Sequence, residues 1–146
     1  MTSYLGIDYG TKRIGLAISD PMGTMASPLA TVEARGGLAD HVRAVLKEAD
    51  AYAYEEIVVG LPLNMDDTEG PQAKTSRAFG AQLAKDSGKE VYYFDERLSS
   101  VGAEDVLRES DFTRKKRKAR VDSLAAQIIL QTFLDAQSQQ PNREVS

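Results

Sequence analysis

The chain has 146 residues, 42% of them hydrophobic and 27% charged, which is typical of one globular domain. It contains no cysteine, which excludes disulfides and thiolate metal ligands and fits a reducing cytoplasm. No window approaches the roughly eighteen apolar residues of a membrane span, and no basic stretch leads into an apolar run at the start. The lone histidine, His41, excludes His-based zinc clusters and, unless His41 is itself catalytic, Ser-His-Asp chemistry. Any hydrolysis must therefore use carboxylates, lysine or a metal.

Five apolar runs bounded by turn residues predict five strands. They lie at Tyr4–Tyr9, Ile14–Ser19, about Ala26–Val32, Glu56–Gly60 and Glu90–Phe94. The connection between the first two strands is short enough for a hairpin, and Asp20-Pro21-Met22-Gly23 is a turn signal before the third. The first three strands are therefore predicted to form an antiparallel meander.

Helical periodicity predicts four helices. They run from about Gly37 to Asp50, from Pro71 onward, from near Ser100 onward, and from about Arg120 to Gln137. The order β-β-β-α-β-α-β-α-α predicts an α/β fold, with a five-stranded mixed sheet and helices on both faces. We expect a single domain over residues 1–137 and a flexible tail over residues 138–146.

Asp8 interrupts a strand of apolar residues and glycines, where its charge would be costly to bury without a partner. Lys12, Arg13 or backbone amides could be that partner, which would make Asp8 purely structural. Asp95 and Glu96 stand at the end of the fifth strand, where open α/β sheets place ligands. Because strand side chains alternate, at most one of the two can join Asp8 directly, and Glu96 is predicted to do so with Asp95 as the fallback. Asp95 could equally cap the next turn.

Asp122 lies in the first turn of the predicted last helix, where the helix dipole alone would favour an acid. The small alanines that follow would let this end of the helix approach the sheet closely. Three carboxylates from Asp8, Glu96 and Asp122 could then share one or two ions of Mg²⁺ or Mn²⁺, which prefer oxygen ligands. Two such ions would hold the attacking and leaving oxygens of a phosphodiester displacement.

A basic run occupies residues 114–120 and contains six positive charges and no negative charge: Arg114, Lys115, Lys116, Arg117, Lys118 and Arg120. Removing these six charges from the net charge of −4 leaves −10 on the other 139 residues. The run is interpreted as a loop between two helices that acts as a mobile clamp on a phosphate backbone beside Asp122. Lys12 and Arg13 would provide a second contact. Arg97 is a further nucleic-acid-binding candidate, unless it only neutralises its acidic neighbours, and the alternative for the run is a solvated loop.

Four segments together resemble the YqgF/RuvX family of nucleases. They are residues 6–15, 57–65, 95–99 and the stretch from 121 to 130, which occur in the family's order and span about residues 4–137. The resemblance implies a ribonuclease H-like fold, an acidic triad matching Asp8, Glu96 and Asp122, and phosphodiester hydrolysis with Mg²⁺ or Mn²⁺. The basic run is denser than in the family, and Arg120 stands where a lysine is common.

The resemblance also implies a role in maturing the 5′ end of pre-16S ribosomal RNA. One alternative is resolution of four-way DNA junctions, and a second is an RNA-binding assembly factor without catalysis. A remote alternative is an actin-like ATP-binding kinase, because residues 8–11 also resemble the first phosphate motif of such proteins. The expected partner is pre-rRNA or branched DNA and not a membrane, and the expected state is a monomer or weak homodimer.

Overall fold

The computed structural model describes residues 2–98 and 114–138, with the side chains of the last helix described from residue 123 onward. The strands are Tyr4–Tyr9 (β1), Arg13–Ser19 (β2), Ala26–Glu33 (β3), Glu56–Leu61 (β4) and Val91–Asp95 (β5). The helices are Leu38–Ala49 (α1), Pro71–Ser87 (α2) and Arg114–Ser138 (α3), and a 3₁₀ turn occupies Glu96–Leu98. Each predicted strand agrees with an observed one to within a residue at either end.

The five strands form one mixed sheet in the order β3-β2-β1-β4-β5. β1 pairs antiparallel with β2, and β2 with β3, which confirms the predicted meander. β1 pairs parallel with β4, and β4 with β5. Because β1, β4 and β5 run in the same direction, their carboxyl ends lie at one edge of the sheet, which we call the carboxyl edge.

The helices cover both faces of the sheet, as predicted. Alternation along β1 sends Leu5, Ile7 and Tyr9 into a core shared with α1 and α2. Tyr4 belongs to a second core formed with α3. Gly6 lies on that second face, and a Cβ there would stand 2.8 Å from the Cβ of Leu130. Gly6 therefore allows α3 to pack directly on β1.

The prediction that the basic run is a loop before a helix starting near Arg120 is wrong. α3 begins at Arg114 and includes the whole run, so Asp122 lies more than two turns into the helix rather than in its first turn. The physical reason is that arginine, lysine and alanine are good helix formers, and no glycine or proline interrupts residues 114–138. The helix dipole, which acts mainly on the first turn, does not account for an acid at this position.

Two predictions fall outside the described residues. The helix expected from near Ser100 is one, and the tail is the other, apart from Ser138, which ends α3. Within residues 2–98 and 114–138, no helix combines the length and the apolar character that crossing a membrane requires.

Candidate active site

Asp8 and Glu96 meet at the carboxyl edge, on the face of the sheet that α3 covers. Asp8 is the next-to-last residue of β1 and alternates with residues that face α1 and α2. Glu96 opens the 3₁₀ turn directly after β5. Their side chains share a hydrogen bond, and both residues are partly buried. The structure therefore brings Glu96, the predicted neighbour, into contact with Asp8, and it does not bring Asp95 there.

Gly60 makes this meeting possible. β4 lies between β1 and β5, so Glu96 must reach across β4 to approach Asp8. A Cβ at Gly60 would stand 2.8 Å from Cγ and from Oε1 of Glu96, and 2.8 Å from Cδ1 of Ile129. Sequence reasoning missed this residue as part of the site. The signal was a glycine inside an otherwise apolar strand, which often marks a close approach by another group.

Burial and the neighbouring acids raise the pKa of Glu96. Burial, the hydrogen bond to Asp8 and the negative charges of Asp8 and Asp95 raise the pKa of Glu96 to about 9. At neutral pH Glu96 therefore keeps a proton and donates it to Asp8. Once that proton is lost, the pair offers carboxylate oxygens, which are the donors that Mg²⁺ and Mn²⁺ prefer. The chemistry of this donor set fits a divalent cation.

Asp95 lies on the opposite face and pairs with Arg97. Arg97 donates from Nε to both carboxylate oxygens of Asp95, at 3.0 and 3.1 Å, and from Nη2 to Oδ2 at 2.7 Å. The backbone N–H of Arg97 also donates to Asp95 at 3.0 Å, so the carboxylate caps the turn as its alternative interpretation proposed. These contacts with Arg97 lower the pKa of Asp95. Glu96 is therefore flanked in the chain by Asp95 and Arg97, which are joined by an ion pair.

The remaining donors of Arg97 hold the chain that follows β4. Nη2 donates to Oδ1 of Asp67 at 2.7 Å, and Nη1 donates to the carbonyl of Asn64 at 2.8 Å. The side chain of Arg97 is 29% exposed. The structure therefore places Arg97 in an ion-pair network between segments of this chain, and nucleic-acid binding by Arg97 stays a prediction.

Lys12 lies at the carboxyl edge, in the tight connection between β1 and β2, and Arg13 is the first residue of β2. Gly10 donates its N–H to the carbonyl of Arg13 at 3.0 Å, and a Cβ at Gly10 would stand 2.4 Å from that oxygen. Only glycine fits this turn. The turn is also tied to the end of β3, since the N–H of Ala34 donates to the carbonyl of Lys12 at 2.9 Å. Lys12 is exposed and Arg13 is partly buried.

α3 runs antiparallel to β1 and brings position 122 toward the carboxyl edge. The hydroxyl of Tyr4, at the start of β1, donates to Oε1 of Gln137 near the end of α3 at 3.1 Å. Gly6, further along β1, packs against Ala126 and Leu130, which come earlier in α3. Position 122 lies one helical turn before Ala126. Its side chain and those of the basic run lie outside the described ones, so the roles of Asp122 and of residues 114–120 stay predictions. Among the described side chains, no three His, Asp or Glu residues lie close enough together to bind one metal ion.

His41 lies apart from the acid pair. Its Nδ1 is 2.6 Å from the hydroxyl of Tyr9, which points from β1 toward α1 and α2. Asp8 precedes Tyr9 in the same strand and therefore faces the other side of the sheet. The structure thus does not bring the single histidine to the acid pair.

Comparisons with known proteins find sequence similarity along most of the chain. The model of the RuvX family, described as "Holliday junction resolvase", matches residues 2–136. A "Putative pre-16S rRNA nuclease" of Moorella thermoacetica is 48% identical over 132 residues, which cover 90% of this chain and 93% of that protein. A protein of the same name from Myxococcus xanthus is 45% identical over 132 residues, covering 90% of this chain and 87% of that protein.

A solved structure shows the same fold. The structure of Thermus thermophilus RuvC in complex with a Holliday junction substrate matches with a TM-score of 0.56 and 14% identity. The match covers 95% of this chain and 97% of that one. At 14% identity, the similarity shows that the two proteins share a fold. It confirms the predicted ribonuclease H-like architecture.

Proposed function

Because the chain belongs to the RuvX family, we propose that it is a nuclease that hydrolyses phosphodiester bonds in structured nucleic acid. The observation that carries the proposal is the Asp8–Glu96 pair, two carboxyl groups held in hydrogen-bond contact at the carboxyl edge. The names of the relatives support pre-16S rRNA as the substrate. Cleavage at its 5′ end, in the cytoplasm, is part of the proposal. The family's description supports a four-way DNA junction as the second candidate.

Asp8 and Glu96 would hold a divalent cation, Mg²⁺ or Mn²⁺, with Asp122 as the proposed third ligand. A bound cation of this kind lowers the pKa of a water molecule and stabilises the departing oxygen. The proposal for Asp122 is supported by the direction of α3. Gly6 faces Ala126, so Asp8, two residues further along β1, is expected to face the preceding helical turn.

The residues of the chain prepare this site in two ways. Asp8 is paired with Gly15 of β2, and the preceding residue, Ile7, is also paired with β4, so the backbone at Asp8 is restrained by the sheet. Glu96 must release its proton before it can bind a cation, which ties cleavage to pH. No side-chain nucleophile is required, and the expected product carries a 5′ phosphate.

The basic run is proposed as a helical contact with the phosphate backbone rather than as a mobile loop. It fills about two turns at the start of α3, and consecutive helix positions are about 100° apart. Seven consecutive positions therefore surround the helix axis, and one nucleic-acid strand can meet about half of them. Lys12, in the turn after β1, and Arg13, the first residue of β2, form the proposed second contact.

The experiment that tests the proposal compares labelled pre-16S rRNA with a four-way DNA junction, each with Mn²⁺, Mg²⁺ or a chelator. We expect metal-dependent cleavage of at least one substrate, which is lost in Asp8→Asn and retained in Asp50→Asn, an exposed aspartate after α1. Binding without cleavage by the wild-type protein would favour the RNA-binding assembly factor. Thermal protection by Mg-ATP, but not by Mn²⁺ with oligonucleotide, would favour the kinase.

A further inference from the structure

Tyr9, the residue after Asp8, is held at three points by the helices on the opposite face of the sheet. Its ring stacks on Phe79 of α2, with 4.1 Å between the ring centroids and 13° between the ring planes. Its hydroxyl lies 2.6 Å from Nδ1 of His41 in α1. Its backbone carbonyl accepts a hydrogen bond from Nε2 of Gln72, in the first turn of α2, at 3.1 Å. The end of β1 is therefore tied to both helices as well as to its neighbouring strand.

The hydrogen bond from Gln72 takes the place of a strand partner. The pairing of β1 with β4 ends one residue before Asp8. The N–H of Gly10 donates to the carbonyl of Arg13 across the hairpin, at 3.0 Å. The carbonyl of Tyr9 belongs to the same trans peptide group and therefore points the other way, to the side where β4 no longer pairs. Gln72 thus satisfies an acceptor that the sheet leaves without a partner.

The peptide group between Tyr9 and Gly10 joins the acid pair to the turn that carries Lys12. Asp8 lies one residue before this peptide, and Lys12 lies two residues after it. Gln72 holds the oxygen of the peptide, and the hairpin holds its N–H. Because both sides of the peptide are held, the backbone that leads away from Asp8 has a fixed direction.

The packing of α2 on the sheet does not depend on this hydrogen bond. Gln72, Ser76 and Phe79 are spaced to lie on one face of the helix. Phe79 is fully buried and stacks on Tyr9, which provides an apolar attachment of its own. Ser76 is also buried, and in the described part of the chain its hydroxyl has no hydrogen-bond partner. Of the two polar side chains on this face, Gln72 is therefore the one that holds the backbone beside Asp8.

We propose that Gln72 is a positioning residue of the nuclease site, which keeps the carboxylate of Asp8 in the orientation that binds a divalent cation. The inference rests on the proposed function. Gln72 acts through the backbone of Tyr9, from the face of the sheet opposite to Glu96. Loss of a group that orients a metal ligand typically lowers metal affinity or activity about 10- to 100-fold. A small misplacement of a reacting group lowers the rate for the same reason.

The test compares the wild-type protein with Gln72→Met, which keeps the length of the side chain and removes its donor. The first measurement is Mn²⁺ affinity without nucleic acid, from the electron paramagnetic resonance signal of free Mn²⁺. The second is kcat and KM in saturating Mn²⁺, for whichever of the two substrates the wild-type protein cleaves faster. For Gln72→Met we expect Mn²⁺ binding to be about tenfold weaker and kcat about tenfold lower, with KM within about twofold of the wild-type value.

Three further variants separate positioning from general stability. Ser76→Ala changes the next polar residue on the same face of α2, and Leu83→Val removes one buried methylene group from the same helix and lowers stability. Both should keep wild-type Mn²⁺ affinity and kcat. Gln72→Glu places an acid in the first turn of α2, where the helix dipole favours it. Its thermal stability should therefore stay close to that of the wild-type protein, while kcat falls because the donor is lost.

Wild-type Mn²⁺ affinity and kcat in Gln72→Met would overturn the inference. An equal loss of both in Leu83→Val would also overturn it, because the effect would then be one of stability. A rise of KM alone would make Gln72 a contact with the substrate. If the wild-type protein bound Mn²⁺ but cut neither substrate, the nuclease function would be wrong, and the Mn²⁺ affinities would still decide the role of Gln72. If it neither bound Mn²⁺ nor cleaved, both proposals would be wrong.

Discussion

The side chain of Glu96 lies directly over Gly60, and only the missing Cβ of Gly60 leaves room for it. Both Cγ and Oε1 of Glu96 would be 2.8 Å from a Cβ at this position. Because Glu96 crosses β4 here to reach Asp8, the acid pair depends on a residue that has no chemistry of its own.

We therefore expect Gly60→Ala to displace Glu96 and to abolish most of the cleavage. The added methyl group also meets Ile129 of α3 at 2.8 Å, so the protein should lose about 1–3 kcal/mol of stability. Cleavage rates and thermal unfolding measure the two effects. Gly37→Ala is the control, because its Cβ would meet only Oδ2 of Asp40, at 3.9 Å. Wild-type cleavage by Gly60→Ala would contradict the arrangement.

The raised pKa of Glu96 predicts a pH-dependent stability in the absence of metal. The folded protein holds the proton up to a pH of about 9, while the unfolded chain releases it near its ordinary value of 4.5. The folded state therefore binds more protons within this window, and the free energy of unfolding falls as pH rises through it. Glu96→Gln removes this titration, so wild-type stability should fall relative to Glu96→Gln between about pH 4.5 and about pH 9. Thermal unfolding in the presence of a chelator measures this difference in stability. If the stabilities of the two proteins changed in the same way with pH, Glu96 would not share a proton with Asp8.

We expect Arg97 to position Glu96, and the same variant tests the predicted contact of Arg97 with nucleic acid. Arg97→Lys keeps the charge but loses the fork that holds Asp95 and Asp67 together. We expect kcat to fall about ten- to a hundredfold with a smaller change in KM, because the turn that carries Glu96 loses its anchor. Arg43→Lys, which alters an exposed ion pair with Asp40 on α1, is the control. A change confined to KM, with a lower salt dependence of binding, would instead make Arg97 a phosphate contact.

The basic run at the start of α3 should contribute to the salt dependence of binding. Replacing the four residues from Arg114 to Arg117 by alanine preserves helix propensity while removing four charges. Since each neutralised duplex phosphate adds about 0.9 to the slope of log affinity against log salt, engagement of half of them would lower the slope by about two. The control removes Lys47 and Lys85, which lie on α1 and α2. An unchanged slope in the first variant would make the run a solvated helix surface.

The strands of the sheet, and the limit of one acid from the end of β5 beside Asp8, could be predicted from local patterns. Apolar runs bounded by turn residues predicted the strand bounds, since short buried strands need apolar side chains along their length. The alternation of strand side chains allowed at most one of Asp95 and Glu96 to join Asp8. Glu96 was the predicted one, with Asp95 as the fallback, and the structure brings Glu96 there. The period-two rule held even though Glu96 lies in the turn after the strand.

Other features were not predictable from the same patterns. The basic run was interpreted as a loop because of its charge, although its residues favour helix and α3 begins at Arg114. The contact between Arg97 and Asp67 joins residues thirty positions apart, and the space over Gly60 depends on three strands and α3 together. Such contacts arise from tertiary packing and leave no periodic signal in the sequence.

The most direct test of the nuclease function is the cleavage of labelled pre-16S rRNA and of a four-way junction by wild-type protein and by Asp8→Asn, both in Mn²⁺. The account predicts cleavage by the wild-type protein that leaves a 5′ phosphate, and none by Asp8→Asn, although that variant still binds the substrate. Equal cleavage by both proteins, or a product ending in a 2′,3′-cyclic phosphate, would contradict it, because the acid pair would then not be the centre of the reaction.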